Sequence, residues 1–281
     1  MKPQKKVGII GYGFVGKALK NGLNTQVSTF EVDPALGTSI SELKEFSPDL
    51  IFICVPTPMN DDFSQDVSIV ESVFSEILLN NLSSIIVLKS TVLPNHIVDF
   101  ESKFKNFVYN PEFLTERNAN EDFINSDLII FGSNSETAKQ ELSNFYKDHT
   151  KCLSKDYVLT DAITASLVKY SINSFLATKV IFFNELKQLF TEAGTRDTWK
   201  NFISFISKDA RIGSSHMSVP GPDGKKGFGG ACFPKDTNAL LNFANSKNIE
   251  LSLLKRIIQV NNDIRRKYNV NDREKSQNIR F

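Results

Sequence analysis

The chain is short of the features that mark secreted, membrane or nucleic-acid proteins. Only three cysteines occur in 281 residues, Cys54, Cys152 and Cys232. Their spacing is neither paired nor metal-like, which reads as a reducing cytoplasm, without a disulfide framework and without zinc or another metal. Net charge is almost absent: 33 Lys and Arg against 32 Asp and Glu leave +1. With no basic run, the clustered cationic surface that nucleic acid requires is missing. Long apolar runs are lacking too, since residues 175–190, the most apolar late stretch, contain Lys179, Glu185 and Lys187. That is too much charge for a membrane span. Lys2, Lys5 and Lys6 precede an apolar run, but Gly11, Gly13 and Gly16 punctuate it and no small-residue cleavage site follows, so no signal peptide is read. There is no internal repeat, and the length suits two domains.

What is present begins with Gly227-Phe228-Gly229-Gly230-Ala231-Cys232-Phe233-Pro234-Lys235-Asp236-Thr237. Glycines let this backbone take positive φ and approach a ligand, and Pro234 suits a first helical turn, so Cys232 is expected beside the unbonded N–H groups of a helix start. Those groups and Lys235 favour a thiolate. Asp236 is a candidate base, or a group that orients water or the thiol. The plainer alternative is a buried cysteine beside a cap formed by Asp236.

The first half alternates strands and helices. Residues 7–10 read as a buried strand leading into Gly11-Tyr12-Gly13-Phe14-Val15-Gly16 and then a helix. In that context the glycine pattern predicts a pyrophosphate at a helix N-terminus. A second strand, 27–32, ends at Asp33, which either accepts hydrogen bonds from an adenine ribose or merely opens the Asp-Pro turn; its carboxylate would repel a 2′-phosphate, favouring NAD over NADP. Further strands at 50–55, 84–88, 107–109 and 128–131 predict a doubly wound parallel sheet. Its ligand-binding edge holds Val55-Pro56-Thr57 and Ser90-Thr91, with Cys54 as core packing. The segment Asn110-Pro111-Glu112-Phe113-Leu114-Thr115-Glu116 follows a strand end on the same edge, so Glu112 and Glu116 are either site carboxylates or solvated charge.

The second half reads as helical, with a long helix over 159–193 and others over 198–207, 234–247 and 252–268. Lys169 and Asn173, four apart, share one face of the long helix. They form either a device that stabilises negative charge on oxygen or an ordinary surface lysine with a packing amide. Residues 219–226 form a turn-rich loop that covers the mouth of the site or is a surface detour. The last dozen residues read as polar and frayed.

GYGFVG, CVPTP, KSTV, NPEFLTE, the helix of Lys169 and Asn173, ARIG and GFGGACFPKD, in this order over residues 7–260, resemble the UDP-glucose/GDP-mannose dehydrogenase family, most closely its UDP-glucose 6-dehydrogenase branch. The resemblance implies an α/β fold: a Rossmann-like NAD-binding domain over 1–153 and an all-helical central dimerisation domain over 154–281. It implies a four-electron oxidation of a nucleotide-sugar alcohol, UDP-glucose to UDP-glucuronate, with two NAD molecules used in succession. By the same likeness Cys232 is the nucleophile, Lys169 and Asn173 hold the oxyanion, and Asp236 assists the thiol and the hydrolytic water. Thr91 and Glu116 hold a water beside the nicotinamide, and Glu112 is an acid/base candidate. The first hydride transfer needs a base, either a Glu116-held water or Lys169.

The cofactor set that follows is Gly11, Tyr12, Gly13, Phe14, Val15, Gly16, Asp33, Val55, Pro56, Thr57, Ser90, Thr91, Glu116 and Lys235. The substrate set is Phe113, Leu114, Arg211 and Gly229. Arg211 matches an arginine that reaches a neighbouring subunit, so a homodimer built on the long helix is implied. Ile172, Phe175, Leu176, Ile181 and Phe182 suit that packing or an internal core equally. Relatives continue into a second Rossmann-like domain, so this chain reads as a natural short form or a fragment, with the 219–226 loop a candidate for part of the missing lid. A two-electron hydroxyacid dehydrogenase of similar fold and a non-catalytic NAD-binding protein are the competing readings.

Overall fold

The computed structural model describes residues 4–281, and Lys2 lies outside them. Packing divides the chain into two units. One runs to Thr57 and resumes over Asp66–Lys169; the other is formed by Pro58–Gln65 and Tyr170–Phe281.

In the first unit, apolar runs that are buried on every residue form central strands, as sheets covered on both faces require. The strands are β1 (Lys5–Ile10), β2 (Val27–Val32), β3 (Leu50–Ile53), β4 (Ile85–Leu88), β5 (Phe107–Tyr109), β6 (Ile130–Gly132) and β7 (Val158–Thr160). Between them run α1 (Phe14–Gly22), α2 (Ile40–Phe46), α3 (Ser68–Leu79), α4 (Pro94–Lys103), α5 (Ala119–Ile124) and α6 (Glu136–His149). The sheet order is β2-β1-β3-β4-β5-β6-β7. Period-two alternation sends Ile51 and Ile53 to one face, against Leu43, Phe74 and Phe100, and sends Leu50 and Phe52 to the other, against Leu19, Leu142 and Phe145. The chain leaves β1 toward β2 on one side and returns to β3 on the other. A ligand crevice therefore opens beyond the carboxyl ends of β1 and β3.

Two expectations are corrected. The sheet is not wholly parallel, because β6 runs antiparallel to β5. The link after β5 spends its length on the 110–118 loop and on α5, which packs on α1 with Phe123 filling the space where a Gly22 Cβ would stand, 2.2 Å from the ring. The chain thus enters β6 from the end at which β5 finished. The long helix also starts later than residue 159. β-Branched Val158 and Thr160 extend the sheet as β7, parallel to β6, and Asp161 starts α7 (Ala162–Glu192) by accepting from the Thr164 N–H at 2.8 Å and the Thr164 hydroxyl at 2.7 Å.

The second unit holds the remainder of α7 with α8 (Trp199–Ile206), α9 (Phe233–Ser246), α10 (Ser252–Arg265) and α11 (Asp272–Ser276). Ala177, Ile181, Phe228 and Ile257 form one small core, and Phe183, Met217 and Val219 form another beside Trp199 and Ile203. Ile181 therefore belongs to the internal core, whereas Phe175 and Phe182 are 68% and 57% exposed. The expectation of a frayed tail is overturned. Asn271 and Glu274 form a capping box at the start of α11, Glu274 is fully buried against Arg265, and Ile279 is buried. Gln277 and Arg280 tie back to the 58–65 segment through the Met59 N–H and Asp61. Among the described residues no helix is long and apolar enough to cross a membrane.

Candidate active site

The crevice beyond β1 and β3 is built from the backbone outward. Each ladder continues one residue past its strands, with the Cys54 N–H on the Ile10 carbonyl at 2.7 Å, the Lys89 N–H on Ile53 at 2.9 Å and the Asn110 N–H on Leu88 at 2.9 Å. The strand ends that bear Val55, Ser90 and Glu112 are thereby held in register. Gly11 has φ +88°, and a Cβ there would stand 2.8 Å from the Cys54 carbonyl. At Gly16 a Cβ would lie 2.3 Å from the Gly11 carbonyl oxygen. Gly13, the N-cap of α1, differs: a Cβ there meets nothing within 4 Å. Two glycines are thus required by the protein itself, while the third keeps open the space in front of a helix N-terminus, which suits a pyrophosphate. Asp33 receives the Tyr12 N–H on one carboxylate oxygen at 2.7 Å and the Ala35 N–H on the other at 2.9 Å. It therefore opens the Asp-Pro turn and also steadies the glycine turn, with lone pairs left for a ribose hydroxyl. These residues fit a dinucleotide.

Along the same edge the Thr57 hydroxyl donates to the Thr91 carbonyl at 3.0 Å and the Ser90 hydroxyl to the Val55 carbonyl at 2.7 Å. Glu116 is exposed at the start of a short 3-10 turn and lines, with Phe14 and Lys17, an open cavity of about 330 Å³. Glu112 is buried. Its Oε2 accepts the Leu114 N–H at 2.6 Å, and its Oε1 lies 3.4 Å from the Lys169 ammonium, which also donates to the Glu112 carbonyl. Lys169 is only 3% exposed and stands 5.2 Å over the Phe113 ring, so it is not the surface lysine of the plainer reading.

Asn173, one helical turn along α7, belongs to the second unit. Its side-chain amide donates to Asp236 Oδ2 at 2.6 Å, and Lys235 Nζ meets Asp236 Oδ1 at 2.5 Å. Asp236 is 1% exposed and has both oxygens held. Cys232 is the partly exposed N-cap of the 14-residue α9, with Pro234 in the first turn, and its carbonyl accepts the Asp236 N–H at 2.8 Å. The sulfur thus belongs to a residue that opens a long helix, where amide dipoles favour an anion. The other two cysteines have the opposite character: burial pushes the Cys54 thiol to about 12 and raises that of Cys152. None of the three is in a disulfide. Arg211 is solvent-exposed and bidentate on Asp209, whose carboxylate raises its pKa. Val15 lies in the first turn of α1, Pro56 follows β3, and Gly229 sits against the Arg265 guanidinium.

Several supporting residues carry no sequence signal of their own. Buried Lys89 donates to Asn110 Oδ1 at 3.0 Å, which also accepts from Tyr146 at 2.6 Å, while the Asn110 amide donates to the Ile130 carbonyl. This network braces the loop of Glu112 and Glu116. Burial lowers the Lys89 pKa. Asp122 holds Thr115 through both its N–H and hydroxyl. Lys179 donates to the Ile212 carbonyl at 2.9 Å and so ties the Arg211 loop to α7. The 219–226 loop is pinned by Lys187 on the Val219 carbonyl, Arg265 on Asp223 and Lys225 on the Asn269 carbonyl. Among the described residues no cluster of potential metal ligands occurs.

A dinucleotide turn on a seven-stranded sheet, followed by a helical unit whose cysteine opens a helix, defines the class of protein. Residues 21–150 match the NAD binding domain of the UDP-glucose/GDP-mannose dehydrogenase family, and residues 163–263 match the family's central domain. The chain belongs to the UDP-glucose/GDP-mannose dehydrogenase family. A UDP-glucose 6-dehydrogenase of Rickettsia bellii is 38% identical over 229 residues, covering 79% of this chain and 50% of the relative. This chain spans about half the length of the curated relatives it matches. Among solved structures, a UDP-glucose dehydrogenase from Pyrobaculum islandicum superposes with a TM-score of 0.77 at 29% identity, covering 92% of this chain and 68% of that one. A 3-hydroxyisobutyrate dehydrogenase of Mycobacterium tuberculosis, 15% identical, shares the fold with a TM-score of 0.69 over 91% of this chain and 92% of its own.

Proposed function

We propose that this chain carries out the NAD-dependent four-electron oxidation of a nucleotide sugar, UDP-glucose to UDP-glucuronate. The observation that carries the reading is Cys232 at the start of α9 with buried Asp236, Lys235 and Asn173 bonded together one turn on. NAD, held by the Gly11–Gly16 turn and Asp33, supplies the hydride acceptor for both oxidations. Residues 1–153 are the proposed cofactor-binding domain and residues 154–281 the domain of the nucleophile.

In this scheme Cys232 takes the aldehyde-level carbon as a thiohemiacetal, holds it after the second oxidation as a thioester, and releases the acid when water attacks. Lys169 and Asn173 offer N–H donors to the oxyanion. Asp236, fixed by Lys235 and Asn173, orients the thiol and the hydrolytic water. Thr91 and Glu116 hold a water, Glu112 is an acid/base group, and the proton of the first step goes to the Glu116-held water or to Lys169. Phe113, Leu114, Gly229 and Arg211 are the proposed sugar-nucleotide contacts.

The molecule is proposed to act in the cytoplasm as a homodimer through α7, whose exposed Phe175, Phe182 and Leu189 recur every seven residues on one face. The test is NADH release on a panel of UDP-glucose, GDP-mannose and UDP-N-acetylhexosamines. The reading expects the fastest release with UDP-glucose. NAD binding without release on any member would give a non-catalytic protein, and release of a single NADH on a small hydroxyacid would give the two-electron enzyme.

A further inference from the structure

The loop that leads into Cys232 is held by side chains from three separate helices. The Gly227 N–H donates to Asn184 Oδ1 of α7 at 3.0 Å and the Phe228 N–H to Asn261 Oδ1 of α10 at 2.7 Å. The Gly230 N–H donates to Glu274 Oε1 of α11 at 3.0 Å. The third anchor differs in kind, because a carboxylate without exposed surface takes the N–H of a residue two positions before the nucleophile and pairs with Arg265 Nη2 at 2.7 Å. Its other oxygen takes the Asn271 N–H at 2.8 Å.

Cohesion alone does not account for this arrangement, since a buried ion pair is commonly no more stabilising than apolar side chains of equal volume. Its reach offers a better account. Arg265 Nη1 grips Asp223 at 2.7 Å, on the upstream limb of the loop, while Nη2 and Glu274 bear on the downstream limb. A Cβ at Gly229 would stand 2.1 Å from Nη2, so backbone and guanidinium are in direct contact. Among the described residues the buried Arg265 Nε has no acceptor, so the hydrogen bonds of the guanidinium go to those two carboxylates, while its face lies over the Phe281 ring at 5.3 Å and the Tyr268 ring at 6.0 Å.

We propose that Arg265 and Glu274 are a positioning pair for the nucleophile, and that residues 271–281 act through it as a clasp holding the 227–231 backbone so that Cys232 opens α9. The inference rests on Cys232 being the nucleophile of the proposed function. Neither residue touches the reacting atoms; each sets where the sulfur stands relative to the helix amides. Loosening the clasp lets the thiol drift from those amides toward ordinary thiol behaviour.

The experiment is iodoacetamide alkylation of the full chain as a function of pH, with the Cys232 peptide quantified by mass spectrometry, in wild type, Glu274→Gln and Glu274→Asp. The first variant removes the charge that faces Arg265, and the second withdraws the carboxylate from the Gly230 N–H. The alkylation midpoint is expected to rise by about one unit, toward ~8.5, with about tenfold slower reaction below the midpoint. Lost stability alone does not move this midpoint in molecules that remain folded by circular dichroism. An unchanged midpoint in folded Glu274→Asp, which keeps the charge, overturns the proposal, and so does failure of both variants to fold, which leaves the pair a purely structural role; in Glu274→Gln the lost negative charge by itself lowers the midpoint, so a rise there reports displacement alone. Cys232→Ala assayed for NADH release separates the two failures: undiminished release removes the nucleophile, whereas lost release with an unchanged midpoint in the Glu274 variants removes only the clasp.

Discussion

Replacing Gly13 and Gly16 one at a time by alanine separates what the glycine turn needs for folding from what it keeps open for a ligand. A Cβ at Gly16 would stand 2.3 Å from the Gly11 carbonyl oxygen and 3.2 Å from an Ile9 methyl. Overpacking of this kind costs about 1–3 kcal/mol, which at about 2–4 °C per kcal/mol lowers the melting temperature by several degrees. Gly13 has φ −73° and ψ −161°, which alanine adopts readily, and its Cβ would meet nothing within 4 Å. Two small effects then oppose each other: about 0.4–1 kcal/mol gained by restricting the unfolded chain, and roughly 0.5–1 kcal/mol lost because alanine is the poorer N-cap. Stability should therefore stay close to wild type. A methyl in the pyrophosphate position, however, carries the same overpacking cost of about 1–3 kcal/mol against the bound dinucleotide, or about 5- to 150-fold in Kd. The assay is thermal unfolding together with NAD titration by calorimetry. Wild-type NAD affinity in Gly13→Ala would refute the assignment of the pyrophosphate to this helix start.

Hydrogen bonds from Thr164 hold the Asp161 carboxyl below its ordinary value of 3.8. Its contribution to α7 is therefore present above that value and lost as pH falls through the depressed pKa. Asp161→Ala should cost about 0.5–2 kcal/mol at neutral pH and nothing below the depressed pKa, as read by urea unfolding at several pH values. Lys89 has the opposite sign. Burial lowers its pKa from 10.5, so the unfolded chain binds the proton more tightly and stability rises as pH climbs from the depressed value toward 10.5. Lys89→Met should flatten that alkaline rise, and an undiminished rise would place its origin elsewhere. If the proposed dimer forms through α7, Phe175→Ser with Phe182→Ser, both exposed on that helix, should convert it to a monomer in light scattering without lowering the melting temperature of the monomer; a dimeric mass that persists would move the interface off this face.

The legible parts of the molecule are those written in local pattern. Continuous apolar runs gave away β3 and β4, and glycines between a strand and a helix gave away the dinucleotide turn. The segment around Cys232 announced a helix start, and α9 begins there. Lys169 and Asn173 were legible as a pair on one helix. Their actual partners, Glu112 and Asp236, lie 57 and 63 residues away, and no spacing rule reaches so far. β7 was hidden because three β-branched or apolar residues next to a long helical pattern extend that pattern as readily as they begin a strand. The direction of β6 depended on where α5 packs, a tertiary matter. The tail misled for a related reason. Its composition is polar, but Asn271 and Glu274 are spaced as a capping box and Arg265 is buried to receive the carboxylate. A charged residue reads as solvated until its partner is known.

Whether Cys232 carries the oxidised sugar as a thioester is decided by the amount of NADH formed per UDP-glucose consumed by wild type and by Cys232→Ala. The account predicts two NADH per sugar for wild type, with UDP-glucuronate as the product, and loss of that product in the variant while NAD still binds. Two NADH per sugar from Cys232→Ala would contradict it.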